Sequence, residues 1–86
     1  MTAIPQAKQI LRETKHYETI KKNLKMIKHQ IYKYEHARFR TNNEILKTRI
    51  SAQIHKLDHK AAKTKHKLKQ SHHKIYHYIQ HLYKSL

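Results

Sequence analysis

Residues 38–44 read RFRTNNE, and the reading of the whole chain turns on them. On either side apolar residues recur at helical spacing, whereas here two adjacent asparagines interrupt the rhythm. Thr41, followed three residues later by Glu44, fits a capping box, in which the threonine hydroxyl and the glutamate side chain satisfy the free amides that open a new helix. One helix is expected to end here and another to begin, with the turn at about 39–43.

Upstream of the turn, Ile10, Tyr17, Leu24 and Ile31 stand seven apart, and Ile20, Ile27 and Tyr34 follow the last three of them by three. Heptad spacing of this kind places the apolar side chains on one narrow stripe, the seam of a coiled-coil-like pairing. The sole proline, Pro5, suits the first turn of a helix because its missing N–H has no partner to lose there, with Thr2 or Ile4 flanking the cap. Helix 1 is therefore expected over about 5–38. Downstream, Ile54, Ala61, Leu68, Ile75 and Leu82 form one series, with Ile50, Leu57, Thr64, Ser71 and Tyr78 as the other. They predict helix 2 over about 44–84.

The fold class that follows is all-α: a long antiparallel, coiled-coil-like helical hairpin forming a single unit over residues 1–86. With the turn centred near residue 41, facing positions have numbers summing to about 82, so that Ile31 meets Ile50 and Leu24 meets Leu57. The small Ala61 and Thr64 then lie beneath the bulkier Ile20 and Tyr17. Two further arrangements stay open. A break at about 70–72, with Ser71 as N-cap, gives a short third helix carrying Ile75, Tyr78, Ile79, Leu82 and Leu86. Alternatively two hairpins join as a dimeric four-helix bundle, because one hairpin buries only a single stripe per helix while Leu11, Met26, Tyr32, Leu46, Tyr76, Ile79 and Tyr83 lie off it.

Charge narrows the function. Twenty Lys and Arg against five Asp and Glu give a formal net charge of +15, so the molecule repels itself unless an anionic partner or counterions neutralise it. The imbalance is steepest after Asp58, where residues 59–86 hold seven lysines and no acid, with histidines that add charge as the pH falls. Lys56, Lys60, Lys63, Lys67 and Lys74 recur at spacings that keep them on one helical face able to follow a phosphate chain. The turn adds Arg38, Arg40 and Arg49, whose guanidinium forks grip phosphate, together with Asn42, Asn43 and Phe39, which is able to stack on an unpaired base. The alternative is that Phe39 closes the end of the core while the arginines answer the helix dipole.

Other classes find less to draw on. Without cysteine there is neither a disulfide framework nor a thiolate metal site, and no run of apolar residues is long enough for a signal peptide or a membrane span. His55/His59 and His73/His77/His81 have the four-residue spacing of shared metal ligands, but no further ligand set accompanies them, so no metal and no cofactor is expected. The absence of Gly-rich loops and the scarcity of carboxylates argue against an enzyme. The expected function is a small cytoplasmic nucleic-acid-binding protein, associated with a nucleoid or a ribonucleoprotein, its site being Arg38, Phe39, Arg40, Asn42, Arg49, Lys56, Lys60, Lys63, Lys67 and Lys74, and RNA slightly favoured over DNA. The competing expectation is an assembly module whose seam binds an acidic or helical partner, or a second copy of the chain.

Overall fold

The fold is given by a computed structural model that describes residues 3–85. Helix α1 (Ala3–Arg40) and helix α2 (Glu44–Ser85) account for the described chain apart from a three-residue turn, and together they make an antiparallel helical hairpin. Helix α1 begins two residues before the expected start. Pro5 still falls within its first turn, where backbone amides have no partner inside the helix. Of the two residues expected to flank the cap, Thr2 lies outside the described residues and Ile4 lies within the helix.

The turn is shorter than expected and is capped by a different residue. Helix α1 runs on through Phe39 and Arg40 and closes with Thr41 N donating to Ala37 O at 3.1 Å. The N-cap of α2 is Asn43, not Thr41: its Oδ1 accepts from the amides of Ile45 at 3.0 Å and Leu46 at 3.2 Å. Thr41 instead uses its hydroxyl oxygen to accept from Asn43 N at 3.3 Å, which tightens the turn itself. Asparagine wins the cap because its side-chain carbonyl sits beside both free amides, whereas a threonine two residues earlier is already occupied. Glu44 becomes the first residue of the helix, where a carboxylate favours the positive end of the dipole.

Two compact units divide the chain. In the turn unit (Asn23–Lys65) the seam buries Leu24 and Ile27 from α1 with Ile50, Ile54 and Ala61 from α2, and half-buries Ile31, Leu57 and Thr64. In the terminal unit (residues 3–22 with 66–85) Ile20 and Ser71 are buried, and Ile10, Tyr17, Leu68, Ile75, Tyr78 and Leu82 are half-buried. Both heptad series of α2 thus face inward throughout.

Three further expectations require correction. Helix α2 is continuous across residues 70–72, so there is no third helix: Ser71 is 2% exposed and its hydroxyl donates to Glu13 Oε1 of α1 at 2.7 Å. The three-helix alternative used Ser71 as a cap, but a cap needs the chain to break, and neither Pro nor Gly is there to break it. Tyr34 is exposed rather than core, because the open groove it shares with Gln30, Lys33, Ala37, Gln53 and Leu57 is too poor in apolar bulk to cover a ring. Phe39 is 88% exposed and closes no core.

Glu13 and Gln6 extend a seam series that sequence reading began at Ile20. Both are partly buried, seven and fourteen residues before Ile20. Polar residues thus occupy inward positions in the terminal unit, and Gln6 Oε1 is buried without a partner among the described residues.

Candidate nucleic-acid interface

Each of the ten expected site residues is exposed: Arg38, Phe39, Arg40, Asn42, Arg49, Lys56, Lys60, Lys63, Lys67 and Lys74. In the turn unit the structure brings eight of them onto two helices and the turn. Arg38, Phe39 and Arg40 form the last residues of α1, where a cation also opposes the negative end of the helix dipole. Asn42 lies in the turn, leaving the capping to its neighbour Asn43. Arg49, Lys56 and Lys63 stand seven apart on α2 and Lys60 lies beside them, since steps of three and four return to one side of a helix. The remaining two, Lys67 and Lys74, belong to the terminal unit and continue the spacing of Lys60 along α2.

Helical periodicity links these residues to the open groove of the turn unit. The groove runs between Gln30, Lys33, Tyr34 and Ala37 of α1 and Gln53 and Leu57 of α2. Lys33 and Gln53 line the groove; by helical spacing Arg40 shares the side of Lys33 on α1, and Lys56 and Lys60 share the side of Gln53 on α2. The groove is open and its walls are more apolar than polar, with Lys33 the cation that lines it and the other bases on neighbouring helix faces.

These cations are left almost without partners among the described residues. Among the described residues the one ion pair joins Lys47 Nζ to Glu44 Oε1 at 3.7 Å, on the exposed start of α2. Of the ten site residues only Arg38 has a side-chain partner there, donating from Nη1 to Ser51 Oγ at a long 3.4 Å. Ordering them against a polyanion therefore sacrifices almost no internal contact.

The histidines are arranged differently. His73 and His77 approach edge to face with ring centroids 4.7 Å apart, and His66 Nε2 lies 3.3 Å from Gln70 Nε2. No group of three or more potential metal ligands comes together among the described residues. No helix among them is long and apolar enough to cross a membrane.

Sequence reasoning missed Lys33 and His36. Lys33 lines the groove, and His36 packs its ring against Tyr32 at 5.5 Å. The signal was available: Lys33 and Arg40 are seven apart, as are Tyr32 and Phe39, but a search for apolar stripes passes over polar residues that share a face. No family model, curated protein or solved structure matches the chain.

Proposed function

We propose that this chain is a small, basic, non-enzymatic nucleic-acid-binding protein that neutralises phosphates along the exposed cationic face of α2 and at the arginine-bearing end of the hairpin. The observation that carries the reading is the combination of a +15 charge with a single internal ion pair among the described residues. Charged surfaces that serve only solubility interleave acids with bases, whereas here the lysines after Asp58 have no acid among them. Binding of this kind releases counterions and reads little sequence, because phosphate contacts position a protein without specifying bases.

A second reading, in which the seam recruits an acidic or helical partner, has less support. Leu24, Ile27, Ile50 and Ile54 are already covered by the chain itself, so a partner must displace one helix to reach them. The deciding experiment titrates the chain against labelled duplex DNA, duplex RNA and single strands at about 50, 150 and 300 mM salt. Sub-micromolar binding near 150 mM, with log affinity falling steeply and linearly against log salt, is expected. Binding lost by about 150 mM would reject the reading and redirect the search to protein partners.

A further inference from the structure

We infer that the outward face of α1 at the hairpin end is a stacking track for unpaired nucleobases, so that the ligand class of this interface is single-stranded nucleic acid or the loop of a folded RNA. The inference rests on the nucleic-acid reading above. It is carried by three exposed rings in the turn unit: Tyr32, 60% exposed, His36, and Phe39, 88% exposed.

Their spacing puts them on one side of the helix. His36 and Phe39 follow Tyr32 by four and seven residues, which leaves the three side chains within about 60° of one another around the axis and spans about 10 Å along it. Tyr32 and His36 already pack at 5.5 Å with planes tilted by 49°, an arrangement that leaves Tyr32 more than half open. No described residue covers the Phe39 ring.

Burial of such rings is favourable, and the charges around them select what buries them. Lys33 and Arg40 each follow a ring residue by one position, between the rings and the groove, and Lys28 and Lys25 lie one and two turns before Tyr32 on the same side. The acids of this end are Glu35 on α1 and Glu44 at the start of α2, and Glu44 is already paired with Lys47. A second copy of this chain would bring another +15 against this surface, whereas an anionic polymer brings the opposite charge. Among anionic polymers, only one with exposed aromatic faces at intervals matches a row of rings flanked by cations. In a duplex those faces are stacked away, so the track selects unpaired strands.

The test uses a single-stranded oligonucleotide carrying 2-aminopurine, whose fluorescence is quenched by stacking, alongside a duplex of the same length. The wild-type chain is expected to quench the probe and to prefer the single strand. The double variant Tyr32→Ala/Phe39→Ala is expected to lose the quench and about tenfold or more of single-strand affinity, with duplex affinity unchanged, while Phe39→Tyr retains both. Because both rings are exposed, the double variant keeps its helical circular dichroism. Unaltered quench and single-strand affinity in the double variant would overturn the track while leaving phosphate binding intact. Absence of binding to either strand near 150 mM salt would instead remove the parent reading, and the track with it. An unaltered quench accompanied by a wild-type dimer that the double variant dissolves in sedimentation would also overturn it, assigning the rings to self-association.

Discussion

Ser71 is the residue at which local and tertiary preferences compete. Taken locally, a serine after a run of lysines invites a helix cap; in place, its hydroxyl is buried and donates to Glu13 across the hairpin. Replacing Ser71 with Ala leaves a partly buried carboxylate oxygen without its partner, and urea denaturation is expected to record a loss of about 1–2 kcal/mol. The Asn43 cap makes a sharper comparison. Asn43→Ala is expected to cost about 1 kcal/mol because two helix amides lose their acceptor, while Thr41→Ala costs a few tenths, a ranking opposite to the one the capping-box spacing implies. The cap was hard to read because Thr41, Asn42 and Asn43 are all competent cap residues. Which of them serves depends on where α1 stops, and spacing alone does not fix that residue. Glu13 escaped notice for a related reason: an acid at an inward heptad position contradicts the apolar rule by which the seam was traced.

At the scale of the element, the two helices were legible almost throughout. The series led by Ile54 and Ile50 turned every member inward, including the small Ala61 and the polar Thr64 and Ser71. Heptad spacing survives interruption by small or polar residues, since the remaining members still fix which side faces the partner. Tyr34 shows the limit of that argument: spacing assigns a direction, but cover depends on the residues opposite, and Gln53 and Ala37 provide little. The polar faces obey the same geometry as the seam. Arg49, Lys56 and Lys63 form one row on α2, and neutralising them together as Gln is expected to reduce the slope of log affinity against log salt on duplex DNA by about 2–3, one phosphate contact per side chain. A titration series in salt, compared with wild type, measures this directly. The helix itself is expected to persist, because glutamine is nearly as good a helix former as lysine and the residues are exposed.

For the whole molecule, charge sets the terms. With five acids to set against twenty Lys and Arg, the folded chain holds like charges close together, and salt relieves that repulsion. Raising salt from about 50 to 300 mM is therefore expected to raise the melting temperature of the free chain while weakening its complex with nucleic acid. Circular dichroism melts and binding titrations over one salt series test both directions, and a melting temperature indifferent to salt would contradict the account. Composition alone made the cationic character plain. What it did not disclose was that, among the described residues, the cations would go almost without internal partners, since that depends on where Glu13, Glu18, Glu35 and Asp58 fall relative to the bases in three dimensions.

The turn has a consequence for how the molecule forms. The chain contains no glycine, and no residue among those described has a positive φ, so three ordinary residues reverse its direction without visiting the left-handed region. Helix-to-helix contacts beside the turn close short loops: Arg38 reaches Ser51 across 13 residues, whereas Glu13 reaches Ser71 across 58. Loop-closure entropy grows with the length enclosed, so the cheapest order of assembly starts at Asn43 and proceeds toward the two termini. The hairpin is expected to close as a zipper does, with the arginine-bearing end the first part to form.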